Sequence, residues 1–422
     1  MQDIPRLIDT VFRIERPRLI ATLARMLRDA SLAEDIAQDA MTQALIDWPK
    51  RGPPASPQAW LMATAKRRAI DHLRHVKMAE KKHLKLAGAE DDGGAAIAAL
   101  EASIDDDVGD EVLSLIFTAC HPALTPDARA ALTLKLVCGL TSAEIARAFL
   151  VAEPTMAQRI VRAKAALSRS GADYEIPRGA ELERRLGSVL EVVYLIFNEG
   201  YAPTGGNAVL RADLAGEARR LGRMLAARLP NDVEALSLLA LMDLQASRFA
   251  ARVDADGNLV ALPEQDRSRW DRLLIHQGLT SLERAQALAS KPGFYRLQAE
   301  IAACHARARR WEDTDWPKIE TTYAALLAFN PSPVVALNHA ISAGMARGPA
   351  VALELIDGMD GLKDLEAYAP LHAARGDALF HLERWREAER AFEIAGRLAS
   401  NNRERDFLAA RQAQCRKQAG TS

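Results

Sequence analysis

The side chains best suited to chemistry in this sequence are polar groups spaced three and four residues apart between positions 155 and 162. They are Thr155, Gln158, Arg159 and Arg162. On a helix of about 3.6 residues per turn this spacing places them on one side. In the major groove of DNA, Arg pairs with guanine and Gln with adenine, while remaining basic groups reach phosphate. The pattern predicts a helix face that reads DNA, and an ordinary amphipathic hairpin is the alternative.

Two short helices joined by a turn must position this face. Thr141 precedes Glu144 by three residues, the capping-box spacing that begins a helix, and Pro154 suits the first position of the next helix. Opposite the polar face, an apolar stripe would pack the second helix inward. The stripe consists of Met156, Ile160, Ala163 and Leu167. This layout predicts a helix-turn-helix.

Length and composition limit the fold classes that fit the whole chain. With 422 residues the chain is too long for one ordinary core, so we expect two to four domains. A hydrophobic content of 49% with only 5% aromatic residues predicts an all-α fold. The net charge of -1 conceals an excess of basic residues in 1–89 and a segment, 90–111, whose charged residues are all acidic. Charge is therefore distributed by segment.

The cysteines and the hydropathy pattern indicate a soluble protein in a reducing compartment. Cys120, Cys138, Cys304 and Cys415 lie far apart, which argues against a zinc site or a disulfide framework. Asp254–Asn258 lacks the further ligands of a calcium loop and predicts a turn. We therefore expect no metal. With no signal core and no membrane-spanning run, the sequence predicts a cytoplasmic, nucleoid-associated protein without a membrane partner.

An acidic and amidic helix face is predicted early in the chain. Ser31 and Glu34 have capping-box spacing, and an apolar stripe follows them. Its members are Ile36, Ala37, Ala40, Met41, Ala44, Leu45 and Trp48. The other face carries Glu34, Asp35, Gln38, Asp39 and Gln43. Taken alone, these residues favour a solvated helix face over a binding surface.

A third helix, from Gln58 to about Val76, is predicted to be basic on its exposed side. Trp60, Thr64, Arg67, Asp71 and Arg74 share that side, with Arg68 and His75 at its edge. Met62, Ala63, Ala69, Ile70 and Leu73 are predicted to turn inward. Cations beside an aromatic ring suit nucleic acid with unstacked bases. The alternative is that Trp60 is a core residue at the start of the helix.

The order of three segments resembles a bacterial extracytoplasmic-function sigma factor. These segments are Ala33–Ala40, Ala59–Arg74 and the helix-turn-helix at 141–168. The resemblance implies sigma domain 2 in residues 1–85, sigma domain 4 in residues 111–172, and core RNA polymerase and promoter DNA as partners. It implies polymerase contacts for Glu34, Asp35, Gln38 and Asp39. It implies contacts with the −10 element for Trp60, Lys66, Arg67, Arg68, Asp71, Arg74 and His75. It implies contacts with the −35 element for Thr155, Gln158, Arg159 and Arg162.

Between the two presumed DNA-binding domains, residues 86–110 form an acidic segment with few large apolar groups. Glu90–Gly94 and Asp105–Asp107 flank an Ala-rich stretch, a composition that predicts a flexible tether. The resemblance implies that such a linker also threads toward the active cleft of the polymerase. Its carboxylates could there occupy a basic channel built for phosphate.

The remaining chain is predicted to be a helical extension, divided into residues 173–290 and repeat-like residues 291–422. A helix is predicted at Glu181–Asn198, and others at about 208–229, 232–249, 266–289, 295–310 and 317–329. Gly376–Leu379 with Trp385, Ala388, Phe392 and Ala395 resembles a tetratricopeptide repeat, and Ala336–Ala340 looks like a weaker copy. Stacked hairpins predict a docking surface for a protein or small-molecule ligand, with a ligand-free scaffold as the alternative.

Two functions from different classes follow. The leading one is an alternative sigma factor whose extension, marked by the signature-like Tyr194–Tyr201, regulates it as the resemblance implies. The alternative is a helix-turn-helix DNA-binding regulator that acts without polymerase and carries a tetratricopeptide-type interaction tail. The sequence shows no phosphate-cradling loop, metal cluster or nucleophile motif, so we expect no enzyme, no catalytic residues and no cofactor.

Overall fold

The computed structural model describes residues 4–85, 108–149, 151–201, 211–254, 260–289, 291–359, 365–399 and 402–421. Across these ranges the regular structure is helical and no β-strand is formed, which confirms the all-α prediction. The chain divides into two compact units, Met1–Val192 and Val193–Ser422. Residues 86–107 of the predicted linker, residues 202–206 and residues 255–258 of the predicted turn lie outside the described residues. The last three residues of the predicted linker, 108–110, are helical.

Among the described residues of the first unit, eight helices begin. They are α1 (Ile4–Leu27), α2 (Ala30–Arg51), α3 (Pro57–Lys85), α4 (Val108–Ala119), α5 (Pro126–Leu136), α6 (Ser142–Ala148), α7 (Glu153–Ser170) and α8 (Ala180–Tyr201). Helices α1, α2 and α3 form an N-terminal bundle, and α4 to α7 form a second helical group. Helix α8 continues three residues past the predicted end at Asn198.

The N-terminal bundle corrects two details of the predicted α2. Asp29, and not Ser31, caps the helix by accepting from the backbone N–H groups of Ser31 and Leu32. The predicted capping box is therefore wrong, because the carboxylate of Glu34 is engaged elsewhere. The predicted stripe is buried from Ile36 to Trp48 except that Met41 is half-buried and Leu45 is 44% exposed.

The inward face of α3 differs from its prediction. Leu61, Ala65 and Ala69 are fully buried, four residues apart, and form the seam that packs against the bundle. Ala63, predicted to turn inward, is exposed, and Met62, Ile70 and Leu73 are half-buried. The prediction placed the apolar side about one residue too far along the helix because Ala and Leu occur on both of its sides.

The helix-turn-helix follows its prediction closely. Thr141 and Glu144 form a reciprocal capping box at the start of α6. Helix α7 begins at Glu153, so Pro154 occupies its second position and still needs no intrahelical N–H bond. Met156, Ile160, Ala163 and Leu167 are all buried. This confirms the apolar stripe, and it fixes which side of α7 faces outward.

The second unit contains a succession of paired helices. They are α9 (Ala212–Arg228), α10 (Val233–Ala246), α11 (Arg272–Leu288), α12 (Phe294–Arg307), α13 (Trp316–Phe329), α14 (Pro333–Arg347), α15 (Pro349–Asp357), α16 (Ala369–His381), α17 (Trp385–Leu398) and α18 (Asn402–Thr421). Helix α10 is buried along almost its whole length and forms the centre of the α9–α12 group. The five helices predicted between 208 and 329 are present, each within a few residues except that α11 starts at Arg272.

The hairpin of α16 and α17 shows why small residues recur near the end of the chain. A Cβ atom at Gly376 would lie 3.0 Å from Cε1 of Phe392, so the glycine lets the two helices approach closely. Phe392 is buried together with Ala388, Ala391 and Ala395. No helix in the described ranges is long and apolar enough to cross a membrane.

Candidate nucleic-acid interface

The outer face of α7 carries the side chains predicted to read DNA. Thr155, Gln158 and Arg162 are exposed, at positions three and four residues apart on the side opposite the buried stripe. Arg159 is less available because its guanidinium lies 3.3 Å from the carboxylate of Asp127 on α5. The structure therefore brings three predicted groups onto one free face and restrains the fourth beside it.

The predicted basic face of α3 is exposed only in part. Arg67, Asp71, Arg74 and His75 are exposed, and Arg74 lies 3.7 Å from Asp71. Trp60 is half-buried and meets Trp48 edge to face, with 5.6 Å between ring centroids. This contact shows that Trp60 packs on the bundle at the start of the helix. Lys66 is half-buried on the same helix.

Arg68 connects the two predicted interfaces of the bundle. Its guanidinium lies 3.0 Å from the carboxylate of Asp39 and donates a hydrogen bond to Oε1 of Gln43 at 3.1 Å. The predicted polymerase face on α2 and the predicted −10 face on α3 therefore meet along a shared edge. Asp35, Gln38 and Asp39 remain exposed on α2.

Glu34 departs from the other members of the acidic face. Its Oε1 accepts from Arg16 at 2.6 Å and lies 3.3 Å from Nζ of Lys135, and its Oε2 accepts from Lys164 at 2.5 Å. Only 16% of the Glu34 side chain is exposed. We call these four residues the Glu34 cluster. They join α1 and α2 of the N-terminal bundle to α5 and α7 of the helix-turn-helix group.

The Glu34 cluster is electrostatically matched. Burial by itself would raise the pKa of Glu34, but the hydrogen bond and charge of Lys164, followed by the charges of Lys135 and Arg16, outweigh it and hold the pKa below its ordinary 4.5. The carboxylate is therefore ionised at neutral pH. Arg16 also donates to the backbone carbonyl of Lys135 at 2.7 Å, which fixes the end of α5 against α1.

A second set of contacts supports the same arrangement. Glu111 on α4 is buried, accepts a hydrogen bond from the hydroxyl of Thr22 at 2.7 Å, and lies 3.2 Å from Arg25. Both partners lie on α1. The N-terminal bundle and the helix-turn-helix group are thus held together by two separate ionic contacts within the first unit.

Two segments of the first unit match known protein families. Residues 11–77 match sigma-70 region 2, and residues 114–167 match sigma-70 region 4. The chain belongs to the sigma-70 family of sigma factors. Such a protein acts in transcription initiation, and its regions 2 and 4 bind core RNA polymerase and the −10 and −35 promoter elements.

The extension of this sigma factor also has relatives. Residues 185–286 match a family of unknown function, DUF6596. An uncharacterized protein, R00370, of Rhizobium meliloti (strain 1021) is 39% identical over 403 residues, covering 95% of this chain and 94% of that protein. The similarity therefore extends through region 2, region 4 and the extension together.

The sequence alone does not reveal the partners of Glu34. Arg16, Lys135 and Lys164 are 18, 101 and 130 positions away from it in the chain, and no local pattern couples residues at such separations. A weak signal existed in α7, where Lys164 lies between the buried stripe and the polar face. Only the packing of α7 against α2 shows which carboxylate it meets.

Proposed function

We propose that this sigma factor is of the extracytoplasmic-function type and recognises the −35 element through Thr155, Gln158 and Arg162. The observation that carries the proposal is the geometry of α7, where these three exposed side chains lie opposite a fully buried stripe. A helix anchored on one side and polar on the other fits the major groove. Arg159 also contacts the DNA after its ion pair with Asp127 breaks. Breaking this pair costs little, because ion pairs near the surface contribute little to stability.

For region 2 the proposal assigns the −10 element to the exposed part of α3. Arg67, Arg74 and His75 provide the cationic surface, with Lys66 and Asp71 beside them. Trp60 and Arg68 act at its border, because one packs on Trp48 and the other pairs with Asp39. Melted promoter DNA would therefore bind a basic face. Trp60 would not offer a free ring for base stacking, because its ring packs against Trp48.

For core RNA polymerase the proposal assigns the face of α2 formed by Asp35, Gln38 and Asp39, with Glu34 at its margin. Exposed carboxylates at helical spacing suit a partner helix rich in Arg, which forms charge-assisted hydrogen bonds. Glu34 is already bound by Arg16, Lys135 and Lys164. Contact between Glu34 and polymerase therefore requires the Glu34 cluster to open.

The decisive experiment is in vitro transcription with purified core RNA polymerase. A sigma factor is expected to co-purify with core and to start transcription at promoters whose −10 and −35 elements it selects. Specific DNA binding without any association with core would instead support the alternative, a polymerase-independent regulator with an interaction tail. Both measurements use the same full-length protein.

Arg162→Ala is expected to weaken binding to a cognate −35 element by about 1–3 kcal/mol, the size of one base-specific contact. The measurement is a competition binding assay with cognate and scrambled duplexes. Arg169→Ala, an exposed arginine in the last turn of the same helix, serves as the matched control. An equal loss on both duplexes would identify Arg162 as a phosphate contact.

We also propose that the extension regulates the sigma core. A tethered domain reaches an effective concentration in roughly the millimolar range, so even a weak contact with the core would be populated. Residues 173–192 belong to the first unit, since Arg185 donates to the carbonyl of Phe117 at 2.6 Å. The truncation should therefore end after α8, so that it removes residues 202–422 and retains 1–201.

The truncated protein is expected to change transcript yield without changing promoter choice. A masking extension would make it overactive, and an extension needed for the open complex would make it inactive. Circular dichroism must first show that the truncated protein keeps its helices. Equal yields from the two proteins, in cells and with purified polymerase, would reduce the extension to a passive appendage.

A further inference from the structure

A cavity of about 420 Å³ lies inside the second unit. One face of α12 forms its wall, with Phe294, Gln298, Ile301, Ala302 and His305 at helical spacing. The other walls come from the ends of α8 and α10 and from α13 and α14, and they include Tyr194, Leu244, Arg248, Leu262, Tyr323, Leu326, Val334, Val335 and Asn338. A cavity of this size and mostly apolar lining suits a small organic molecule.

The charged group at this cavity is a cation. Arg248 lines it, and none of the described residues that line the cavity is Asp or Glu. Burial, followed by the nearby charges of Arg252 and Arg267, lowers the pKa of Arg248 to about 9, so the guanidinium is still charged at neutral pH. Within the described residues, its guanidinium contacts the hydroxyl of Tyr201 and the rings of Tyr201 and Trp270. None of these neutralises a positive charge.

Arg252 and Arg267 add to the positive potential around Arg248. Arg252 is buried, stacks 3.7 Å from the ring centroid of Tyr201, and leaves a buried Nη1 without a hydrogen-bond partner. Arg267 is buried and donates to the carbonyls of His305 and Ala308, at 2.7 and 2.9 Å. Asp313 and Glu312 offset part of the charge of Arg267, whereas no carboxylate among the described residues does so for Arg248 or Arg252. Such buried guanidiniums are costly unless an anion compensates them.

Two polar atoms of the lining are also left without partners. Gln298 accepts a hydrogen bond from the hydroxyl of Tyr194 at 2.7 Å, and its buried Nε2 has no acceptor. The buried Nδ1 of His305 likewise has no partner, and burial with the charges of Arg248 and Arg267 lowers the pKa of His305 to about 3. His305 is therefore neutral. Buried polar atoms are nearly always paired, so the amide of Gln298 and the ring of His305 are available to a polar atom of a bound molecule.

We propose that this cavity binds a small organic anion, with its carboxylate or phosphate at Arg248 and its apolar body against Phe294, Ile301 and Leu326. The amide of Gln298 and the ring of His305 supply further hydrogen bonds to the polar end. Aromatic side chains on α8, α12 and α13 favour a flat or aromatic body over an aliphatic chain. Such a site would make the extension a receptor for a metabolite.

The test is calorimetric titration of the full-length protein with three probes that share one ring system. Naphthalene-2-carboxylate and 2-naphthyl phosphate carry a charge, and naphthalene-2-carboxamide does not. We expect one equivalent of at least one anion to bind about tenfold or more tightly than the amide, the size of a hydrogen bond to a charged group. The stronger of the two anions identifies the headgroup class.

Two variants locate the probe. Arg248→Gln should reduce anion affinity about tenfold or more and leave amide affinity within about twofold. Ala302→Phe fills the cavity from α12 and should abolish binding of all three probes without touching a charge. The control Arg269→Gln removes an exposed arginine two residues after Arg267 and should leave the affinity for all three probes unchanged. Melting temperatures confirm that each variant is folded.

The proposal is overturned if neither anion binds, if the amide binds as tightly as the acids, or if Ala302→Phe binds the anions like the wild type. The last result would mean that the probes occupy another surface. If Arg248→Gln does not fold, the contrast between acid and amide in the wild type, together with Ala302→Phe, decides the question. If Arg248→Gln folds and binds the anions like the wild type, the proposal is also overturned, and Arg248 is a packing residue between Tyr201 and Trp270.

Discussion

Replacing Asp35 and Asp39 by Lys is expected to lower the affinity of this sigma factor for core RNA polymerase by about a hundredfold or more. Both carboxylates are exposed on α2, four residues apart, on the face assigned to polymerase. Removing one partner of a charge pair that becomes buried in an interface costs about 2 kcal/mol or more, and reversal adds repulsion. Co-purification and fluorescence anisotropy with core measure the change.

The matched control is Asp9→Lys together with Glu183→Lys. These carboxylates are exposed in the same unit and produce the same change in net charge. Because Asp39 also pairs with Arg68, the single variant Asp35→Lys separates loss of the polymerase contact from a rearranged edge of the bundle. Unchanged assembly of the double variant with core would remove the polymerase role from this face of α2.

The sequence was most informative where a local pattern decides the structure. The buried stripe of α7 and the capping box at Thr141 depend on residues within a few turns, and both were predicted correctly. The start of α2 was predicted wrongly because the local pattern at Ser31 and Glu34 does not decide the cap. Ser31 and Glu34 have the right spacing for a capping box, but Asp29 competes for the backbone N–H groups and the Glu34 carboxylate has stronger partners.

Interactions between distant segments could not be predicted. Which side of α3 packs inward depends on α1 and α2, and Ala63 consequently faces solvent. The cavity of the extension needs five helices and a loop, and its key residue Arg248 has no motif around it. In the sequence, Arg248 resembles any surface arginine at the end of a helix. Its environment becomes apparent only when Tyr201 and Trp270 are brought beside it.

The Glu34 cluster provides the second large prediction, since it joins the N-terminal bundle to the helix-turn-helix group. Glu34→Gln is expected to destabilise the first unit by about 3 kcal/mol, because it leaves Arg16, Lys135 and Lys164 without their shared anion in a mostly buried place. Protonation should act in the same direction. The folded pKa of Glu34 is depressed, so its contribution is complete above pH 4.5 and is lost as the pH falls further.

Lys164→Ala separates stability from polymerase binding, because Lys164 belongs to the cluster and lies outside the assigned polymerase face. Its Nζ donates to Glu34 at 2.5 Å across the gap between α7 and α2. Losing this charge-assisted bond removes about 1.5–3 kcal/mol from the closed arrangement, in which the Glu34 cluster is intact. If that arrangement competes with polymerase, Lys164→Ala should lower the melting temperature and still bind core up to about a hundredfold more tightly.

Arg169→Ala is the control for Lys164→Ala, since it removes one exposed cation from the same helix and leaves the Glu34 cluster intact. Association and dissociation rates with core, measured at two salt concentrations, distinguish release of a closed form from a general change in charge. If the closed form is released, the association rate with core rises for Lys164→Ala and not for Arg169→Ala. A lower melting temperature with unchanged association would instead mean that the Glu34 cluster stabilises the fold and does not restrict access to Glu34.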